Sequence, residues 1–277
     1  MRHILLPTDF SDNALNAIDY ALKLFKNENC TFYFLNVVEM QIPTTLNLTN
    51  KLLDTLNENA LKKLEELRKQ KMLACAISNF NFEIIVSSEY LVYAIIQEVI
   101  AHNIDIVVMG TKGTTGAKEF FFGRNTNAVI KKMNLCPVLV VPEKFDFEIP
   151  TQIAFPTDFK RFYSDIELKP LKDIATLYNS DIRVVHINVE DNLSSKQENN
   201  MKALKQYLKK FEYSFHWMPN FAKKAKSINI FIEELEIDML VMVNYKHSFI
   251  ENIINEHVIQ KVGFHPIVPF MIIQDLD

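Results

Sequence analysis

The chain has 277 residues, of which 48% are hydrophobic and 23% are charged, with a formal net charge of −4. This composition is typical of a core-forming globular chain, and the charge excludes a general electrostatic attraction to nucleic acid or to an anionic membrane. No run approaches the roughly 20 apolar residues of a membrane-spanning helix. The apolar run at the beginning of the sequence is shorter than that of a signal peptide. We therefore expect a cytoplasmic protein with no nucleic-acid or membrane partner. At roughly 150 residues per domain, the length predicts two domains.

The first half alternates between apolar runs and helical patterns. Strands are predicted near 3–7, 31–38, 81–87, 104–109 and 138–141, and helices near 12–26, 50–70, 90–102 and 124–133. This alternation predicts an α/β domain with a doubly wound, mostly parallel five-stranded sheet. The second predicted helix carries leucine and alanine at helical spacing, which predicts one continuous core-facing stripe formed by Leu53, Leu56, Ala60, Leu64 and Leu67.

Glycine is concentrated at one point of the chain. Four of the five glycines follow the fourth predicted strand within fourteen residues: Gly110, Gly113, Gly116 and Gly123. A glycine-rich segment between a strand and a helix lets a phosphate approach the backbone, and Lys112, Lys118 and Arg124 supply positive charge there. The spacing is G-x2-G-x9-G, which is neither the P-loop motif nor the dinucleotide-binding motif. The segment predicts a nucleotide site of another kind.

Three segments together carry a family resemblance. The glycine spacing follows Val107-Val108-Met109, it precedes Cys136-Pro137-Val138, and the amino terminus reads His3-Ile4-Leu5-Leu6-Pro7-Thr8-Asp9-Phe10-Ser11. These segments resemble the ATP-binding branch of the universal stress protein family, and the resemblance covers the whole first half. It implies that family's fold, which is similar to that of the adenine nucleotide α-hydrolases.

The resemblance also implies a ligand and a set of site residues. The ligand is ATP, with Asp9 at the adenine, Val37 at the end of the second strand, and the glycine loop at the ribose and phosphates. We expect Mg²⁺ to accompany ATP, because the loop holds too few charges to neutralise a triphosphate alone. The expected ATP-binding residues are Pro7, Thr8, Asp9, Val37, Met109, Gly110, Gly113, Gly123, Arg124 and Asn125.

One position departs from the family pattern. The family has Ser or Thr after the third glycine, where this chain has Arg124. An arginine can pair with a phosphate directly, so the departure leaves open both a retained and a lost site. No grouping of residues predicts a catalytic site or a metal held by side chains. We expect at most slow ATP hydrolysis.

The second half repeats the first. Pro7-Thr8-Asp9-Phe10 returns as Pro156-Thr157-Asp158-Phe159, again after an apolar strand. The repeat predicts two tandem domains of the same five-stranded fold, at 1–146 and 147–277, packed as an intramolecular pseudo-dimer, with a homodimer also possible. The second half lacks the glycine loop: alignment by shared landmarks sets Asn244 and Asn252 against the outer glycines. We predict one nucleotide per chain, in the first half.

Several alternatives stay open at this level. The glycines could simply relieve a crowded turn, and Asp9 could cap the following helix. The bulky Tyr245, His247 and Phe249 could fill the second-half cleft or line a new one. The leading hypothesis is an ATP-binding, nucleotide-regulated stress-response protein. The alternatives are an interaction or dimerisation module that binds no nucleotide, and an enzyme that transfers adenylyl or phosphoryl groups.

Overall fold

The computed structural model of the chain describes residues 1–38, 49–75, 79–111, 123–188, 192–219, 224–245 and 267–275. Among the described residues, a first compact unit ends at Lys144 and a second begins at Phe145, two residues before the boundary expected from the sequence. Within the described ranges, no helix is long and apolar enough to cross a membrane.

The described residues of the first unit form five strands and four helices. They are β1 (Arg2–Pro7), α1 (Asp12–Leu24), β2 (Cys30–Val37), α2 (Thr49–Ala74), β3 (Phe80–Ser87), α3 (Leu91–His102), β4 (Ile106–Gly110), α4 (Arg124–Lys132) and β5 (Val138–Val141). The strands lie in the order β3-β2-β1-β4-β5, and every neighbouring pair is parallel. This confirms the predicted doubly wound fold. The order reverses direction between β1 and β4, and ligands of such sheets bind beyond the strand ends at this point.

The second unit has the same strand order. Its elements are β6 (Gln152–Pro156), α5 (Lys169–Tyr178), β7 (Asp181–Asn188), α6 (Ser195–Leu208), β8 (Tyr213–Pro219), α7 (Lys224–Glu234), β9 (Met239–Asn244) and β10 (Phe270–Gln274). The strands lie in the order β10-β9-β6-β7-β8 with parallel pairing. Ser194 and Gln197 form a reciprocal capping box at the start of α6.

The sheets form the cores. The central strands β1, β4, β6 and β9 are almost continuously buried, as expected for parallel strands covered on both faces. Cys30 and Cys136 lie in the first core as free thiols, and burial raises the pKa of each to about 12. Both cysteines are therefore protonated core residues.

Two predictions about the first unit are corrected. β4 begins at Ile106 and not at Ile104, because Asn103 ends α3 in the left-handed conformation and the Ile104 N–H still bonds to the Val99 carbonyl, at 3.0 Å. The apolar stripe of α2 is also shorter than predicted.

In α2 only the later part of the stripe is buried. Ala60, Leu64 and Leu67 lie in the core, whereas Leu53 is half-buried and Leu56 is exposed. The core side of α2 continues instead to Lys71, which is buried and forms an ion pair with Asp19. The periodicity located the helix correctly but not the part of it that meets the sheet.

Candidate functional site

The turn after β1 is fixed by the side chain and backbone of Thr8, which is buried. Its N–H donates to the Leu35 carbonyl at 2.8 Å, and its Oγ1 accepts from the Phe10 N–H at 3.0 Å. Its carbonyl accepts from Asn36 Nδ2 at 2.7 Å. These bonds to β2 hold the turn firmly at the carboxyl end of the sheet.

Asp9 is the exposed residue of this turn. Its Oδ1 accepts hydrogen bonds from the Ser11 N–H at 3.0 Å and from Ser11 Oγ at 2.5 Å. Ser11 is the N-cap of α1, and its Oγ accepts from the Ala14 N–H. Asp9 therefore orders the start of α1, as the structural alternative proposed, while its carboxylate stays at the surface.

Gly110, at the end of β4, lies directly against the first turn of α1. A Cβ atom placed on Gly110 would lie 2.5 Å from Asn13 Nδ2 and 2.8 Å from Asn13 Oδ1. Asn13 is itself buried. Packing against α1 therefore explains by itself why no side chain is present at position 110.

The start of α4 is tied to the same strand end. The Gly123 N–H donates to the Thr111 carbonyl, and Thr126 Oγ1 donates to the Gly110 carbonyl at 2.9 Å. The residues that flank segment 112–122 are thus held together, and the amino terminus of α4 lies beside the end of β4.

The first turn of α4 has no side-chain cap among the described residues. Gly123 is the N-cap residue with φ −52° and ψ 157°, a conformation open to any residue. Arg124 and Asn125 follow it with exposed side chains. The amino terminus of a helix carries partial positive charge and unpaired N–H groups, so this turn suits an anion.

The structure brings most of the sequence-predicted residues to one edge of the first unit. Pro7, Thr8 and Asp9 end β1, Val37 ends β2, Met109 and Gly110 end β4, and Gly123, Arg124 and Asn125 begin α4. Gly113 lies outside the described residues. Sequence reasoning missed Asn13, Asn36 and Thr126, whose contacts join segments far apart in the chain. The described residues contain no group of three or more His, Cys, Asp or Glu placed to hold a metal ion.

The turn after β6 repeats these bonds in the second unit. The Thr157 N–H donates to Val185 at 2.9 Å, and Thr157 Oγ1 accepts from the Phe159 N–H at 3.0 Å. Asp158 Oδ1 accepts from the Lys160 N–H at 2.9 Å. His186 Nδ1 lies 2.8 Å from the Thr157 carbonyl, where the first unit uses an asparagine.

The two units differ at the end of the fourth strand. Ile4 pairs with Ile106 in the first unit, and its counterpart Ile153 pairs with Met239 in the second. This register aligns Gly110 with Val243, so the alignment that set Asn244 against Gly110 was wrong by one residue. Asn252 lies outside the described residues.

Tyr245 interacts with the aspartate of the second unit. Its hydroxyl donates to Asp158 Oδ1 at 2.9 Å, and the Arg161 guanidinium lies 5.1 Å from its ring centroid. Arg161 in turn pairs with Glu167 and Asp275, at 3.0 and 2.9 Å. Tyr245 is thus bonded to the turn that follows β6. His247 and Phe249 lie outside the described residues.

Comparisons with protein families, related sequences and solved structures all match universal stress proteins. The model of the Universal stress protein family matches residues 1–142. Two universal stress proteins of Methanocaldococcus jannaschii are each 30% identical to this chain, over 146 and 165 residues; the alignments cover 50% and 52% of this chain and 81% and 96% of the relatives. The crystal structure of a universal stress protein from Archaeoglobus fulgidus superposes with a TM-score of 0.72 at 18% identity, covering 98% of this chain and 96% of the other. At 18% identity, the similarity to the Archaeoglobus fulgidus structure shows a shared fold.

Proposed function

The chain belongs to the universal stress protein family, and from that premise we propose that its first unit binds ATP at the carboxyl ends of β1, β2 and β4. The nucleotide would regulate a stress-response protein, with slow hydrolysis at most. The second unit would bind no nucleotide, so that one ATP is bound per chain.

One observation carries the proposal: a continuous set of contacts joins Asp9 to the amino terminus of α4. Asp9 holds Ser11 at the start of α1, and Asn13 in the first turn of α1 lies against Gly110. The Gly110 carbonyl accepts from Thr126 in the first turn of α4. A surface carboxylate and a helix amino terminus are therefore held at one edge by direct contacts, which favours a ligand that needs both.

The chemistry of these two groups matches the two ends of an adenine nucleotide. A carboxylate only accepts hydrogen bonds, as the exocyclic amine of adenine requires, and Asp9 offers one at the surface. The first turn of α4, which no side chain of the described residues caps, offers N–H groups to phosphate oxygens, and Arg124 adds a charge that can pair with them. Mg²⁺ would enter with the triphosphate and be held largely by its oxygens and by water.

Binding is a better proposal than turnover. Asp9 Oδ1 already accepts two hydrogen bonds from Ser11, and these bonds engage it in the structure of the turn. Thr126, the first hydroxyl of α4, donates to Gly110 and so is committed to the backbone. Neither residue is arranged to activate a water molecule for attack on a phosphate.

Calorimetric titration of the full chain with MgATP tests the proposal, and the repeat supplies a matched control. Asp9→Asn and Asp158→Asn make the same change in equivalent turns, and each keeps an Oδ1 acceptor for the local N–H bond. We expect one ATP per chain, binding weakened about tenfold or more by Asp9→Asn, and unchanged binding in Asp158→Asn. A folded chain that binds no ATP would contradict the proposal and favour the interaction module. Rapid product formation from ATP would favour the transferase.

A further inference from the structure

The outer strand of the second unit, β8, has an open edge. It pairs in parallel with β7, and among the described residues no strand pairs with its other edge. The Ile182 N–H donates to the Glu212 carbonyl at 2.9 Å. In a parallel ladder with this bond, the backbone amide groups of Tyr213, Phe215 and Trp217 face away from β7. The open edge therefore offers N–H donors and carbonyl acceptors to a further strand.

This edge lacks the charge that commonly protects an outer strand. Residues 213–218 include no Asp, Glu, Lys or Arg, whereas β3, the outer strand of the first unit, has the exposed Glu83 near its middle. Charged side chains on an open edge prevent its pairing with another chain. Trp217, in addition, is 49% exposed. β8 therefore has the character of an edge that a partner covers.

Three lysines follow one another along the side of α6 that faces β8. Lys205 locates this side, because its Nζ lies 4.9 Å from the centroid of the Phe215 ring. Lys202 precedes it by three residues, and Lys209 follows it by four with helical backbone angles, so both lie on the same side of the helix. Lys202 and Lys209 are exposed. We call these three residues the lysine row.

The lysine row decides between possible partners of the edge. A second copy of this chain, pairing β8 with β8 in antiparallel fashion, would place both copies of α6 on one face and bring two lysine rows together. Such a juxtaposition of like charges is unfavourable. An extended segment with acidic residues would instead set its backbone on the open edge and its carboxylates beside the lysines. Charge complementarity thus favours an acidic partner.

We propose that the open edge of β8 and the lysine row form a docking surface for an extended acidic segment of a partner protein, which adds to the second unit as a further strand. Backbone hydrogen bonds would hold the segment, and alternate acidic side chains would face α6. The inference goes beyond the proposed function and does not depend on it, because the nucleotide is assigned to the first unit.

Fluorescence anisotropy of a labelled peptide, titrated with the full chain, tests the proposal. The probe has seven residues, the length of β8, and alternates valine with glutamate. We expect saturable binding and a shift of the Trp217 emission to shorter wavelengths as the edge is covered. The same peptide with glutamine in place of glutamate should bind about threefold or more weakly.

Backbone pairing is tested separately by N-methylation of the peptide. Successive N–H groups of an extended strand point to opposite edges, so methylating alternate residues blocks one edge and leaves the other intact. Two isomers, methylated either on the valines or on the glutamates, have the same composition and charge. One isomer should lose binding and the other should keep it. Equal binding of the two isomers would overturn the proposal.

Paired variants of the chain test the lysine row. Lys202→Gln combined with Lys209→Gln should weaken binding of the glutamate peptide about three- to tenfold. Lys196→Gln combined with Lys210→Gln removes the same charge from exposed positions that helical spacing places on the other side of α6, and it should leave binding unchanged. Lys205 is retained in both because it packs on Phe215. Equal effects of the two double variants would overturn the proposal.

Two further results would assign the edge to another partner and so overturn the proposal. One is tighter binding of a single-stranded oligonucleotide than of the glutamate peptide, because lysines beside an exposed tryptophan can also hold a nucleic acid. The other is a folded chain that sediments as a dimer and binds no peptide, which would indicate that a second copy covers β8. A folded monomer that binds neither probe would likewise contradict the inference.

Discussion

The hydroxyl of Tyr245 donates a hydrogen bond to Asp158 Oδ1 over 2.9 Å in the second unit. At the equivalent position of the first unit, Asp9 is exposed to solvent. Burial raises the pKa of the Tyr245 phenol, and the nearby Tyr163 and Asp158 raise it further. The phenol therefore stays a hydrogen-bond donor at neutral pH. Asp9 is thus exposed in the first unit, whereas its counterpart Asp158 is half-buried and bonded to a tyrosine in the second.

Replacing Tyr245 with phenylalanine should destabilise the second unit by about 1 kcal/mol, because the partly buried Asp158 carboxylate loses a donor. Urea unfolding followed by the fluorescence of Trp217, the chain's single tryptophan, measures the loss. Trp217 lies in the second unit and contacts Phe159 and His186. Tyr207→Phe is the control, because its ring contacts Phe162 and its hydroxyl has no described partner. Equal midpoints for the two variants would show that the Tyr245 bond contributes nothing.

Gly110→Ala should destabilise the first unit by about 1–3 kcal/mol, since the added Cβ would overlap the Asn13 amide. Gly123→Ala is the control: its backbone conformation suits alanine, and the expected cost is below about 1 kcal/mol. Urea unfolding followed by far-ultraviolet circular dichroism compares them. Adding Asn13→Ala to Gly110→Ala should cost less than the sum of the two single changes. Strict additivity would argue against the contact.

The Lys71–Asp19 pair should respond unequally to loss of either member. Asp19→Asn leaves the buried Lys71 ammonium without its counter-charge and should cost about 1–2 kcal/mol, reduced because Asp19 is half exposed. Lys71→Met removes the buried charge and should cost less. Chemical unfolding of both variants, with the exposed Glu66→Gln as control, gives the comparison. A larger loss from Lys71→Met than from Asp19→Asn would contradict this account of the pair.

The second unit should lose stability in mild acid through His216. Burial, and then the nearby Arg183 guanidinium, lower the pKa of this histidine. Its Nε2 lies 2.7 Å from Ser214 Oγ, which accepts from Arg183 at 2.9 Å. The unfolded chain therefore takes up this proton first, near its ordinary pKa of about 6.5. The contribution is fully present above that value and is lost as the pH falls through it towards the lower folded pKa.

His216→Gln removes the titrating group while keeping a polar side chain for Ser214. Unfolding by urea at pH 7.5 and pH 5.5, followed by Trp217 fluorescence, should show a smaller loss on acidification in His216→Gln than in the wild-type chain. Comparing the two chains cancels the other titrating groups. The same loss in both would mean that another group carries the acid sensitivity.

Much of this architecture is readable from the sequence, and the parts that are not share a physical cause. The repeated Pro-Thr-Asp-Phe segment predicts two equivalent turns, and the bonds at Thr8 and Thr157 are equivalent in detail. Local bonds of this kind depend on neighbouring residues, so a short motif encodes them. The α/β alternation likewise follows from apolar periodicity, which places the strand ends at one edge.

Contacts between distant segments were missed. Asn13 and Gly110 meet across almost a hundred residues, and neither residue by itself predicts the other. The conformation of Asn103 moved the start of β4, and Val243, not Asn244, proved equivalent to Gly110 because strand register depends on pairing. Packing also decides which turns of α2 are buried, as Leu56 shows. These features depend on three-dimensional proximity that periodicity does not record.

Hydrogen exchange measured by mass spectrometry, with and without saturating MgATP, would show which segments of the chain the nucleotide contacts. We expect slower exchange in peptides that cover residues 8–11, 37–38, 110–111 and 123–126, and unchanged exchange at 157–160 and 243–245. Protection centred on the second unit, or no protection in a chain shown to be folded, would contradict a nucleotide site built on Asp9 and the first turn of α4.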